Sequence, residues 1–283
     1  MEMNLDTVNF ELREDGIGII TLNRPERMNA ISAQFSDDLN AVLDALMDNL
    51  DCRVVLVQGA GKAFCAGMDL KEASTLMKRR VPEIYQKFNY IDVPETIKRT
   101  IYTQARLTDI TVKLRRINQP VIALINGPAV GGGFTYAMAA DVRIATENAK
   151  FSIGAINVGM GGGDVGGSYF LPRLIGMSRA AELMYTGRFI GAKEAEEIGL
   201  VLKVVPEDKL MDAGLEMANE MLSKSPLGLR MTKEAINLSM DSPSLETMVK
   251  LDNRGQSVCT ASKDIALAIQ MYVEKKKPDF PLR

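Results

Sequence analysis

Backbone amides, rather than side chains, are the first groups in this sequence whose setting suggests chemistry. Gly127-Pro-Ala-Val-Gly-Gly-Gly133 follows an apolar run, Pro120 to Ile125, and leads into small and apolar residues, Phe134 to Ala140. A strand that turns through glycines into a helix leaves the first helical N–H groups without acceptors, at the positive end of the helix dipole. Consecutive glycines let a ligand approach that backbone, so the turn suits a phosphate, a carboxylate or a developing oxyanion. It is no P-loop, because no Gly-Lys-Ser/Thr ends it, and it lacks the spaced glycines of a dinucleotide fingerprint. Taken alone, it is explained as well by tight helix–strand packing. A second stretch, Ala63-Phe-Cys-Ala-Gly-Met-Asp-Leu70, also leaves an apolar run, Arg53 to Gly59. Two such turns after neighbouring strands could face one atom and form a two-donor oxyanion hole.

Composition removes several other chemistries. The chain contains no histidine, which excludes Ser-His and Cys-His nucleophile pairs and histidine-based zinc sites. Acid–base work falls to carboxylates, tyrosine, lysine or water. The three cysteines, Cys52, Cys65 and Cys259, have neither metal-type spacing nor even pairing, so reduced buried thiols and no metal site are expected. With no tryptophan, 9 Phe and 7 Tyr, base-stacking platforms are not expected. A net charge of −2 gives no general pull toward nucleic acid or an anionic membrane. Any polyanionic ligand must therefore be held by local basic groups. No apolar run approaches the ~20 residues of a membrane helix, Met1 to Asp6 has no apolar core, and Pro281-Leu-Arg283 is no peroxisomal address. A cytoplasmic protein is the resulting expectation.

The elements that must position the two turns follow from periodicity. Val8, Phe10 and Leu12 alternate with polar residues, and Gly16 to Leu22 continues after a Glu14-Asp15-Gly16 turn, which predicts an antiparallel hairpin. Ser32 is placed to cap a helix to about Leu50. Strands are predicted at 53–59, 120–125 and 142–145. A long helix is predicted from Pro94 to Arg116, with Ile97, Ile101, Ala105, Ile110 and Leu114 on one face. Strand–helix alternation over 53–146 predicts parallel pairing with crossover helices, an α/β core. After Val205 the pattern is helical, with Met211, Met217, Met221 and Met231 as packing residues. The expected division is a core of residues 1–206 and a helical region of 207–283.

At this point the sequence resembles the crotonase (enoyl-CoA hydratase/isomerase) superfamily. The resemblance rests on Thr21-Leu-Asn-Arg-Pro-Glu-Arg-Met-Asn-Ala30, Ala63 to Leu70, Asn126 to Gly133, Ala140-Asp-Val-Arg-Ile-Ala145 and Glu274-Lys-Lys-Lys-Pro-Asp-Phe280, in family order and spacing. It implies a spiral of ββα repeats with a helical C-terminal trimerisation region, and a homotrimer or homohexamer. It implies an acyl-CoA thioester as substrate, with coenzyme A belonging to the substrate and no separate cofactor. Met68 and Gly132 would be the two N–H donors to the thioester oxygen. Ala66 would offer its carbonyl to the adenine, while Arg27, Met28 and Lys71 would line the coenzyme A path.

The sequence departs from the family's hydratases at both of their glutamates. The position two residues after the triple glycine is Thr135, and the position four residues after Phe151 is Ala155. Neither can activate water or relay its proton. One carboxylate stands in a turn where several relatives place an acid: Asp164, after Gly161-Gly-Gly163. One carboxylate suffices to take a proton from C2 and return it at C4, which makes double-bond isomerisation the leading expectation. Two others stay open: a hydratase or dehydratase of an unusual substrate, and a non-catalytic acyl-CoA-binding protein in which Asp164 merely caps the helix at 165–172. Dehalogenase chemistry needs the His and Trp that this chain lacks. Glu83, Tyr85, Tyr90, Asp92 and Tyr102 fall where relatives line the acyl pocket, but each is better explained as a solvated loop residue.

Overall fold

The computed structural model of the chain describes residues 1–72, 94–242, 244–276 and 280. In order it comprises β1 (Glu2–Asn4), β2 (Val8–Leu12), β3 (Ile17–Leu22), α1 (Ala33–Met47), β4 (Val54–Gly59), α2 (Glu95–Arg116), β5 (Val121–Ile125), β6 (Ala129–Val130), α3 (Gly132–Ala139), β7 (Val142–Thr146) and β8 (Lys150–Ser152). There follow α4 (Gly167–Ile175), α5 (Met177–Thr186), β9 (Ile190–Gly191), α6 (Ala192–Glu197), β10 (Lys203–Val205), α7 (Leu210–Leu222), α8 (Pro226–Ser239), α9 (Leu245–Thr260) and α10 (Lys263–Val273). One sheet has the order β1-β2-β3-β4-β5-β7-β10, and a smaller one the order β6-β8-β9. The predicted hairpin is β2–β3, antiparallel, and from β3 to β10 the large sheet is parallel.

The central strands are buried on both faces, which is why they read as continuous apolar runs. Val55, Val57, Val121, Ala123 and Ile125 face one core with α1, α2 and α3, whereas Val54, Leu56, Ile122 and Leu124 face another with α7. The alternation follows from the two-residue period of a strand. The first helix after residue 206 therefore seals the second face of the sheet through Leu210, Ala213 and Ala218. Met211, Met217 and Met221 pack beside them, as expected of Met-rich helices. Helix α8 is pinned by buried Lys233, whose Nζ reaches the carbonyls of Leu114 and Gln119 and the Asp141 carboxylate at 3.2, 2.7 and 3.1 Å. By contrast, α9 and α10 bury no residue within the protomer.

Two helix expectations need correction. Ser32 does cap α1, accepting from the Phe35 N–H at 3.0 Å, but the helix ends at Met47 rather than near Leu50. Asn49 Oδ1 takes the Asp51 and Cys52 N–H groups, and this local turn competes with another helical turn. In α2, Ile110 and Leu114 are buried as expected, but Ile97 and Ile101 are 46% and 57% exposed. Helix α2 is held against α1 and α3 in part through the Arg106 and Leu107 carbonyls, which accept from Asn40 and Tyr136, and Tyr102 and Thr103, next to Ile101, are buried. Periodicity shows that a stripe exists but not which side of the helix its partners cover. Among the described residues no helix is long and apolar enough to cross a membrane.

Candidate active site

The two glycine-containing turns are laced together. Cys65 and Ala129 form a parallel bridge, with Cys65 N–H donating to the Pro128 carbonyl at 3.1 Å and Val130 N–H to the Cys65 carbonyl at 2.9 Å. Gly67 has φ +85, and a Cβ there would lie 2.7 Å from the Val130 carbonyl oxygen and 3.8 Å from Gly131 Cα. Only glycine satisfies both the left-handed backbone and that approach. The residues just before Met68 and just before Gly132 therefore touch. Cys65 is filler in this joint, and burial pushes its thiol up to about 12.

The orientation of each donor follows from its neighbours' bonds. Ile31 bridges Met68 in parallel fashion: Ile31 N–H donates to the Gly67 carbonyl at 2.7 Å, and Asp69 N–H to the Ile31 carbonyl at 3.0 Å. Because a parallel bridge uses the residues flanking Met68, the Met68 N–H points away from Ile31. Gly132 opens α3, so its N–H is one of the unpaired donors of a helix N-terminus. The helix starts two residues earlier than expected, on the glycines themselves. Among the described residues neither N–H has an acceptor. Ile31 also reaches the second donor, since a Cβ on Gly132 would lie 2.9 Å from Ile31 Cδ1.

Of the four residues expected along the coenzyme A path, three meet at one hydrogen bond. Ala66 N–H donates to the Met28 carbonyl at 3.0 Å, and Arg27 precedes Met28 in the short 3-10 turn Pro25–Arg27. The Ala66 carbonyl has no donor among the described residues. Met28 is exposed at φ +52, and Arg27 and Lys71 are exposed. The residues that hold this surface were quoted in the sequence motif without a role. Arg24 is 8% exposed, pairs with Asp69 at 3.3 Å and Glu72 at 2.8 Å, and donates to the Ala30 carbonyl. Asn29 Nδ2 donates to the Ala60 and Ala63 carbonyls, and its Oδ1 accepts from Arg24 N–H. A polar residue inside a Pro-containing loop gives no periodic signal, so burial of Arg24 and Asn29 was not legible.

Asp164 immediately precedes a residue that packs against Gly132. The next residue, Val165, places Cγ2 3.6 Å from where a Cβ on Gly132 would be. The Asp164 carbonyl accepts from Gly167 N–H at 2.7 Å and from Thr135 Oγ1 at 3.4 Å. Helix α4 begins at Gly167, later than expected, with Gly166 at the cap and no side-chain cap bond. The Asp164 carboxylate is thus not spent on capping. Burial raises its pKa, partly offset by the Val165 N–H. Beside it, Tyr136 is driven well above its ordinary value by burial, with smaller contributions from Cys65 and Asp164, and donates its hydroxyl to the Leu107 carbonyl. Thr135 is buried in α3, and Ala155 lies half-buried in the 3-10 turn Ala155–Val158. Tyr102 is buried on α2, while Glu83, Tyr85, Tyr90 and Asp92 lie outside the described residues.

Comparison with known proteins decides the family. The profile described as enoyl-CoA hydratase/isomerase matches residues 12–282. The chain belongs to the enoyl-CoA hydratase/isomerase family. A probable enoyl-CoA hydratase of Mycobacterium bovis is 39% identical over 270 residues, covering 93% of this chain and 89% of that protein. The crystal structure of a probable enoyl-CoA hydratase/isomerase from Mycobacterium abscessus superimposes with a TM-score of 0.85 at 34% identity, covering 98% of this chain and 100% of the other. The crystal structure of a monofunctional enoyl-CoA isomerase from M. smegmatis superimposes with a TM-score of 0.69 at 37% identity, covering 86% of this chain and 98% of the other. The α/β fold is that of the enoyl-CoA hydratase/isomerase family, and the family's enzymes include both reaction types by name.

Proposed function

We propose that this protein isomerises the double bond of an enoyl-CoA or cyclic dienoyl-CoA thioester, with Met68 and Gly132 N–H groups holding the enolate oxygen and Asp164 moving the proton. The observation that supports the reading is a half-buried carboxyl not used as a helix cap, at Asp164, whose neighbour Val165 packs on Gly132, while Thr135 and Ala155 offer no acid.

The step balances with one carboxylate. Asp164 takes a C2 proton from a 3-enoyl thioester, the C–H pair becomes the C1=C2 bond, and the carbonyl pair moves to oxygen. The two N–H donors stabilise that oxyanion, each removed donor costing about 10²–10³-fold in such sites. Protonated Asp164 then delivers the proton to C4: the oxyanion reforms the carbonyl, the C1=C2 pair becomes C2=C3, and the C3=C4 pair takes the proton. A raised pKa suits a group that must both accept and return a proton. No redox partner or metal enters this balance. Arg27 and Lys71 supply local positive charge for the phosphates of coenzyme A, Met28 packs along it, and the Ala66 carbonyl receives the adenine amino group.

Assembly into a trimer or a dimer of trimers belongs to the same proposal. Helices α9 and α10 bury nothing within the protomer, and with α8 they border a cavity of about 780 Å³ lined by Leu229, Ile236, Leu251, Val258 and Ile265. Apolar surface of that kind suits a second copy of the chain.

A hydratase or dehydratase that recruits Asp164 is the second reading, favoured by the hydratase name of the 39%-identical relative. Supplying 3-enoyl-CoA and 2-enoyl-CoA in D₂O separates them. Conjugation with deuterium entering at C2 and C4 and no hydroxyacyl product is the expected result. Hydroxyacyl-CoA formed at a comparable rate would establish the second reading instead.

A further inference from the structure

The turn that carries Asp164 is not in a conformation it would choose. Val165 has φ +39 and Gly166 φ +101, and the left-handed region is costly for a β-branched residue. Packing buries Val165 to 6% exposure. Val165 Cγ2 faces Gly132, whereas Val165 and Gly166 also border a cavity of about 480 Å³ lined by Val112, Phe170 and Met240.

Two buried hydroxyls add hydrogen bonds to the turn from neighbouring helices. Thr111 Oγ1, from α2, donates to the Val165 carbonyl at 2.9 Å, and Thr135 Oγ1, from α3, to the Asp164 carbonyl at 3.4 Å. A helical threonine ordinarily returns its hydroxyl to a carbonyl about one turn back, as Thr108 does to Ala105. Thr111 and Thr135 instead reach a turn 54 and 29 residues away. They are 5% and 1% exposed, so bulk water cannot replace either bond. Their side chains also fit the turn sterically: Cβ atoms on Gly166 and Gly167 would lie 3.2 Å from Thr111 Cγ2 and Thr135 Oγ1.

We propose that Thr111 and Thr135 are positioning residues whose hydroxyls lock the Asp164–Val165 turn and thereby fix the Asp164 carboxylate relative to the Gly132 N–H. This rests on Asp164 being the proton-moving group. It gives Thr135 a function of its own at the place where hydratases of the family carry a glutamate. A glutamate there would remove the hydroxyl that meets the turn, so the position serves either water activation or the turn.

The test compares Thr111→Val, Thr135→Val, Thr111→Ser, Thr135→Ser and Asp164→Asn with the unaltered protein, using 3-hexenoyl-CoA in D₂O. Valine keeps the shape and deletes only the hydroxyl. Expected are a kcat loss of about 10–100-fold for Thr111→Val, in line with the cost of a misplacement near 1 Å, and a smaller loss for Thr135→Val, whose bond is longer. KM should stay within about 2-fold of the unaltered value, because the hole and coenzyme A path are untouched, and both serine variants should retain most of kcat. Asp164→Asn should be inactive. An inactive Asp164→Asn beside valine variants of full kcat would overturn the lock alone. Full activity of Asp164→Asn would overturn the lock together with the reading beneath it. Should a valine variant fail to fold, Val165→Gly frees the same turn by another route, and undiminished kcat there also overturns the lock.

Discussion

The proposed oxyanion hole and the Asp164 turn lie side by side but are built differently. The hole is backbone. Met68 and Gly132 are set by the Cys65–Ala129 bridge, by the contact of Gly67 with Val130 and Gly131, and by Ile31. No functional side chain takes part. Asp164 is a side chain on a turn with positive φ, bordered by a cavity and tied by hydroxyls from two helices. The difference teaches that the parts proposed to stabilise charge and to move the proton are held by separate contacts. Thr135 and Ala155 can stand where hydratases carry glutamates without disturbing either N–H donor.

That separation predicts a graded set of effects. The largest is Asp164→Asn, which should lower kcat for isomerisation by about 10³-fold, within the range for loss of a general acid–base. Its affinity for a saturated acyl-CoA, measured by calorimetry, should not change, since the hole stays whole. A parallel loss of affinity would show that the two parts are one unit. Next comes Gly67→Ala, which forces a Cβ to 2.7 Å from the Val130 carbonyl oxygen. It should cost about 10²-fold in kcat by shifting the Met68 donor, and here acyl-CoA affinity should fall as well.

Smaller effects concern stability. The folded-state pKa of Asp164 is raised by burial, so the folded chain binds that proton more tightly than the unfolded chain. The stability this gives is present below the ordinary carboxylate range and is lost as pH rises through the raised value. Asp164→Asn should therefore melt above the unaltered protein at pH 7, with the gain disappearing near pH 3. Equal melting temperatures at pH 7 would mean that the carboxyl is not strained by its burial. The smallest net change is expected from Val165→Gly. Relief of the left-handed backbone, about 1–2 kcal/mol, opposes the loss of a buried valine side chain, about 1.5–2 kcal/mol. Denaturant unfolding should change by less than about 1 kcal/mol while kcat falls, which would place the role of Val165 in the turn rather than in the core.

Much of this was legible in one dimension. The β2–β3 hairpin, the parallel run of strands and the cap at Ser32 are local patterns, and the structure has all three. The two glycine turns were legible because only glycine tolerates such approaches. Illegible were Arg24 and Asn29, polar residues buried inside a loop. So was the exposure of Ile97 and Ile101 beside buried Tyr102 and Thr103, since periodicity does not say which side of a helix its partners cover. Whether Asp164 caps a helix could not be told from its type, since a cap and a catalytic acid are the same residue read in different surroundings.

The sequence by itself determined which atoms are available for chemistry. With no histidine, proton transfer falls to carboxylates, tyrosine, lysine or water, and three successive glycines stand where a helix can open toward a ligand. Only the tertiary structure decided which of these atoms meet. Ile31 joins Met68 to Gly132, and Thr111 reaches a carbonyl 54 residues away at Val165. The physical reason is range: periodicity and turn chemistry act over a few residues. The hydrogen bonds that tie the Asp164–Val165 turn form only after the sheet and helices have brought distant segments together.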